Sequence, residues 1–110
     1  MPQIFKVLGQ SNPSVNTNTD VYTVPAANST VVSSIAICNA NTTANVNYSI
    51  AIRPAGATLA QKHYIAANAV VGFLDTIVLT SGLTLGNGDV VTVFTTGSLT
   101  SFSLFGSEIY

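Results

Sequence analysis

Charge is what this chain has least of. Only 6% of its 110 residues are charged: Lys6, Arg53, Lys62, Asp20, Asp75, Asp89 and Glu108. An average soluble domain carries roughly 25%. Three basic side chains cannot neutralise a phosphate track, which argues against nucleic acid as a partner. A formal net charge of −1 leaves little repulsion between copies and favours association. Tryptophan is absent, and there is one cysteine, one methionine and one histidine. One Cys and one His do not make a zinc site. Cys38 alone cannot close an internal disulfide; mid-strand among apolar neighbours, it reads as a buried, inert thiol. No apolar run approaches the ~20 residues that span a bilayer as a helix, so no membrane partner is expected.

What is abundant is Ser, Thr and Asn, about a third of the chain, set between β-branched and aliphatic residues. At this length one domain is expected, burying about 60–70% of the surface its unfolded chain exposes. The stretch from Val21 to Gly56 sets the pattern. Val46, Tyr48, Ile50 and Ile52 alternate with Asn45, Asn47, Ser49, Ala51 and Arg53, the period of a half-buried antiparallel strand. The strand before it, Val31 to Asn39, is more apolar and reads as central. Ile35 and Ile37 fall on one face, Val32, Ala36 and Cys38 on the other.

Elsewhere, Ile4 to Leu8 reads as a short strand or part of an N-terminal arm over residues 1–12. Gln10 to Asp20 reads as a loop around Pro13, and Val21 to Val24 as a short strand ended by Pro25. A strand is expected through His63 to Ala66. Another runs from Val70 to Thr80 with a kink at Gly72, and turns follow at Ser81-Gly82 and Gly86 to Asp89. Asp89 to Thr96 and Thr100 to Ile109 complete the set. Seven to eight strands at such spacings indicate an all-β antiparallel sandwich, jelly-roll or immunoglobulin-like. Its expected core is Val32, Ile35, Ile37, Val46, Tyr48, Ile50, Ile52, Val91, Val93, Phe102 and Leu104.

Catalytic chemistry finds no foothold. His63, beside Lys62 and Tyr64, has no nucleophile on a strained turn and no second titratable neighbour, so it reads as structural. Asp20, Asp75 and Asp89 stand apart, without the spacing of a calcium loop. Gly82, Gly86 and Gly88 precede no helix and are turn glycines rather than a phosphate cradle. No enzyme activity, cofactor or metal is expected.

Four phrases carry a resemblance. VLGQSNPS (Val7 to Ser14), DVYTVPAANSTVVSSIAICN (Asp20 to Asn39), IAIRPAGATLAQKHYI (Ile50 to Ile65) and SLFGSEIY (Ser103 to Tyr110) follow one another in order. Together they resemble small structural proteins of tailed bacteriophages, including those that infect cyanobacteria. The resemblance covers most of the chain and implies a virion component made in the host cytoplasm; Met1 to Gln10 shows no signal-peptide pattern. The resemblance covers head and tail parts alike; the leading expectation is a capsid cement or decoration protein that binds the major capsid protein, copies of itself as dimer or trimer, or both. A tail-, baseplate- or fibre-associated module is the alternative. A carbohydrate-binding sandwich is the third, disfavoured by the missing Trp and by four scattered tyrosines. With so little charge, contacts are expected to be apolar and main-chain. The expected anchors are large apolar groups at the ends: Ile4, Phe5, Phe105, Ile109 and Tyr110.

Overall fold

The structure, a computed structural model, describes residues 2–110, the side chain of Ser81 excepted. Among the described residues are eight strands: β1 (Gln3–Ser11), β2 (Thr19–Thr23), β3 (Ser29–Asn39), β4 (Val46–Arg53), β5 (Tyr64–Val71), β6 (Asp75–Leu85), β7 (Val90–Thr95) and β8 (Thr100–Ile109). Between β4 and β5 lie two short 3-10 turns, Pro54–Gly56 and Gln61–His63. One sheet has the order β1-β8-β3-β6 and the other β2-β7-β4-β5. Every pairing is antiparallel.

The first strand pairs with the last, the second with the seventh, the third with the sixth and the fourth with the fifth. The chain is thus one long hairpin folded over on itself, its paired segments shared between two sheets. That is a jelly roll. An immunoglobulin-like sandwich would pair β1 with β2, whereas here β4 and β5 are the consecutive strands that share a ladder.

The inner faces meet in a core that includes Val32, Ile35, Ile37, Ile50, Val91, Val93, Phe102 and Leu104, each with essentially no exposed surface. Val46 and Tyr48 are also buried. Tyr48 of one sheet meets Phe102 of the other edge-to-face, their ring centres 6.3 Å apart, a geometry favoured by the ring quadrupoles. Of the expected core, Ile52 alone is half-buried, at the margin.

Several expectations are corrected. Residues 3–11 are not an arm but an edge strand paired with β8 from Gln3↔Ile109 to Ser11↔Phe102; Met1 lies outside the described residues. The strand expected over Val70 to Thr80 is two strands. Gly72 to Leu74 carry the chain from one sheet to the other, with Leu74 at φ +53° and its amide bonded to the Asn41 carbonyl. His63 ends a 3-10 turn, and the strand begins at Tyr64. Cys38 is half-buried on the outer face, opposite Thr76 and Ser101, rather than in the core.

The remaining differences share one cause. A line of extra residues crosses the β1-β8-β3-β6 sheet at a single level. Leu8 is inserted in β1 between Val7 and Gly9, Ser33 in β3 between Val32 and Ser34, and Ser81-Gly82 in β6 opposite Ser33. Ser81-Gly82 is therefore a bulge inside β6, not a turn. An extra residue also shifts the phase of the alternation, so Val32 faces inward together with Ile35 and Ile37. At this level β8 carries Gly106, where a Cβ would overlap the carbonyl oxygen of Val31.

Two substitutions check this architecture by denaturant melts. Ile50→Ala, which opens a cavity in a fully buried position, is expected to cost ~2–5 kcal/mol. Gly106→Ala should cost ~1–3 kcal/mol or more by overpacking against main chain. A loss under ~0.5 kcal/mol for either would contradict the assigned packing.

Candidate interaction surface

The two outer faces of the sandwich differ in chemistry. On the β2-β7-β4-β5 sheet, Arg53 lies across the strands. Its Nη2 donates to both carboxylate oxygens of Asp20 at 3.0 and 3.1 Å, and its Nε donates to Thr92 Oγ1 at 3.0 Å. Its Nη1 reaches the Ala57 carbonyl at 3.1 Å, which pins the turn after β4. Asn47, Ser49 and Asn68 add polar bonds, Asn47 Nδ2 to Asn68 Oδ1 at 3.0 Å and the Asn68 amide to Ser49 Oγ at 2.9 Å. This face is polar and internally satisfied.

The outer face of the β1-β8-β3-β6 sheet carries no charge. Its registered rows run Val7–Phe105–Ser34–Thr80 and Gln10–Ser103–Ala36–Val78 across four strands, then Ser101–Cys38–Thr76 across three. Lys6 is absent from it because alternation turns that side chain inward. Mostly small residues fill the middle, with Phe105 of β8 among them, and large apolar groups stand on the edge strands: Phe5 is 79% exposed, Val78 57% and Val7 48%. A neutral face with apolar flanks gives up little hydration when covered, which is what an interface core requires.

Beneath the end of this face the buried Glu108 pairs with a half-exposed lysine. Glu108, 5% exposed, accepts from Lys6 Nζ at 2.8 Å and from Tyr22 Oη at 2.6 Å, and Tyr22 Oη bonds Thr30 Oγ1 at 2.8 Å. β1, β8 and β3 of one sheet are thereby tied to β2 of the other. The hydrogen bond from Lys6, then that from Tyr22, holds the Glu108 carboxyl below its ordinary 4.5. Burial, then the neighbouring carboxylate, pushes the Tyr22 phenol up to about 12. The same carboxylate raises the Lys6 ammonium above 10.5.

Of the expected anchors, Phe5, Phe105 and Ile109 share the uncharged outer face, since Phe5 pairs with Ser107, Val7 with Phe105 and Gln3 with Ile109. Phe5 and Phe105 are diagonal neighbours across the β1–β8 ladder, a spacing within reach of aromatic side chains. Ile4 pairs with Glu108 and falls on the opposite side of β1. Tyr110 lies past the end of β8, its amide bonded to the Pro2 carbonyl, and its side chain is exposed.

The remaining candidates have structural employment. His63 is buried, and its Nδ1 accepts from the Ala60 amide at 3.0 Å. Asp89 accepts from the amides of Ala55 and Gly86, and Asp75 from that of Thr76. Among the described residues, no three His, Cys, Asp or Glu side chains gather as metal ligands.

One exposed apolar region escaped the sequence reading. Phe73, Leu74 and Leu99 stand at the tips of the β5–β6 and β7–β8 connections, 53%, 66% and 56% exposed. Both leucines have positive φ, +53° and +60°, which is uncommon outside glycine and costs energy. The buried Asn39 holds this end together. Its Nδ2 donates to the Ala44 and Val71 carbonyls, and its Oδ1 accepts from Asn41, whose Nδ2 also donates to the Ser98 carbonyl. The sequence signal was the alternation of Asn39 with the core residues Ile35 and Ile37.

Comparison with protein-family models, curated proteins and solved structures finds no match to this chain.

The Glu108 cluster gives a pH test. A depressed carboxyl stabilises the fold above its unfolded value, so that contribution is lost as pH falls below 4.5. The raised phenol and ammonium stabilise below their ordinary values of 10.0 and 10.5, and that contribution is lost as pH rises past them. Stability should therefore be flat near neutrality and fall at both ends. Glu108→Gln should cost ~1–2 kcal/mol at pH 7, the worth of charge-assisted bonds discounted for the exposed lysine, and flatten the acid limb. An acid limb unchanged in that variant would remove Glu108 from this role.

Proposed function

We propose that this chain is a non-enzymatic structural protein of a tailed-phage virion, a capsid cement that sits on the major capsid protein lattice. The observation that carries the reading is the uncharged outer face of the β1-β8-β3-β6 sheet, flanked by Phe5, Val7 and Val78. A freely diffusing domain gains nothing from such a face, whereas a multi-copy clamp gains a dry contact. The phrases from Val7 to Ser14 and from Ser103 to Tyr110, which carry part of the resemblance to phage structural proteins, lie on β1 and β8. These are the strands that bear Phe5 and Phe105.

The physics of such a contact differs from that of a charged one. Salt screens exposed ion pairs over about 10 Å at 0.1 M but leaves apolar burial intact, and kosmotropic salts strengthen it. Binding to particles should therefore persist into molar salt, in copy number comparable with that of the major capsid protein. A tail-associated part would be present in few copies.

The test strips and rebinds particles in a salt series with wild type and the double variant Phe5→Asp/Phe105→Asp. Both positions are exposed, so the fold should survive; circular dichroism verifies this. The variant should lose decoration by about tenfold or more, the scale for truncating central aromatic contacts. Release of wild type at moderate salt, or normal decoration by the folded variant, would overturn the proposal. Low copy number would move the protein to the tail.

A further inference from the structure

Each sheet has two edge strands: β1 and β6 in one, β2 and β5 in the other. An edge is a row of unpaired N–H and C=O groups, which proteins blunt by shortness, charge, bulges or a cover. Three edges here are blunted. β2 has five residues and contains Asp20. β5 slips register twice against β4, and Asn68 within it has φ +52°, so its outer groups form no even row. β1 carries the Leu8 bulge and the charged Lys6.

β6 is the least protected, because its bulge at Ser81-Gly82 and its charge at Asp75 leave the run between them bare. It is 11 residues long, DTIVLTSGLTL, without Pro, and its one charge, Asp75, stands at its first position. Its register shift comes after Thr80, leaving Asp75 to Thr80 an unbroken run. The core is also open along it. Ile77, Leu79 and Leu83 pair with the inward Ile37, Ile35 and Val32, yet each is only half-buried. Between Ile65 of β5 and Val78, Leu79, Thr80 and Leu83 of β6 lies an open apolar groove of about 440 Å³.

We propose that β6 is a self-association edge, where a second copy adds its own β6 antiparallel about a two-fold axis and the two sheets become one. The charge pattern favours a second copy as the occupant. Two-fold antiparallel pairing sets the first half of a strand against the last half of its mate. Asp75 then faces the uncharged Leu85 end, and no two like charges are opposed. The net charge of −1 adds almost no long-range repulsion. Because paired residues in a ladder point to the same face, Ile77 of each copy meets the inward Leu83 of its mate on one side. Thr80 meets its own mate at the axis on the other, with Val78 beside it. The half-buried stripe of each copy thus supplies the missing cover of the other. About ten residues a side is fewer than the 20–30 of a standard interface, so a reversible dimer is expected. This inference does not rest on the virion reading, because the dimer forms in solution without particles.

Sedimentation across a concentration series tests it. Wild type should pass from monomer to dimer with concentration, and Val78→Lys/Thr80→Lys should weaken dimerisation by about tenfold or more through opposed like charges. Val15→Lys, in the exposed β1–β2 connection away from β6, should leave dimerisation unchanged. Hydrogen exchange on wild type gives a readout independent of folding of the variants: alternate amides from Thr76 to Thr84 should gain protection as concentration rises. A wild type that stays monomeric into the high micromolar range would overturn the proposal. So would a dimer that survives the double substitution, or one whose β6 amides gain no protection. Protection of β6 only on particles would assign the edge to a foreign strand instead.

Discussion

The bulge line across the β1-β8-β3-β6 sheet is the constraint on which the rest of the molecule depends. Strict alternation along β3 would send Val32 outward while Ile35 and Ile37 point in. The inserted Ser33 resets the phase, so Thr30 and Val32 face inward before the bulge and Ile35, Ile37 and Asn39 after it. Leu8 does the same for β1, which allows Lys6 to reach Glu108 on the inner side while Phe5 and Val7 stay outside. Bulges also bend and twist the strand that carries them. Set in one line, they let a single sheet serve two neighbours: the aliphatic core at one end and the Lys6–Glu108–Tyr22–Thr30 cluster at the other.

That reset explains why so little charge suffices. Buried polar groups in this fold are satisfied in small closed sets rather than by solvent. The Asn39–Asn41 pair ties three connections at one end, Glu108 ties the two sheets at the other, and Arg53 fastens the turn after β4. A buried carboxylate is tolerable only with its partners in place, and Glu108 has both a lysine and a phenol. Among the described residues no buried side-chain nitrogen or oxygen lacks a partner. With two of the seven charges folded into the cluster and two into the Arg53–Asp20 pair, a whole sheet face is left neutral.

The sequence disclosed the strands whose partners are fixed by alternation. β4, β7 and β8 keep period two without interruption, so Tyr48, Ile50, Val93, Phe102 and Leu104 were legible as core. It did not disclose the bulges, because Ser33 looks like any polar residue in a strand and Ser81-Gly82 looks like a turn. Gly72 marked a kink in the sequence but not the full break at Gly72 to Leu74, where an exposed leucine takes a positive φ that its side chain does nothing to advertise. Of the surface, the terminal anchors were partly legible. Large apolar residues at both ends were visible, but their meeting depends on pairing β1 with β8 across nearly the whole chain. Period two then divided them, sending Phe5 outward and Ile4 to the other side. Val78 was hidden inside a run of apolar residues that gave no sign of which face would stay uncovered.

The proposed face and the proposed edge use different parts of the same sheet, so neither blocks the other. Pairing along β6 engages N–H and C=O groups that lie in the plane of the sheet, while docking on the outer face engages side chains perpendicular to it. Joining two sheets edge to edge would place their uncharged faces side by side on one surface. A ligand surface that spans both copies then binds two sites at once, and the second contact forms at the effective concentration set by the first. Weak self-pairing and weak docking, each of modest area, would in that geometry reinforce one another. In the proposed role, a chain with seven charged side chains and one neutral face would hold its partner in this way without any single strong contact.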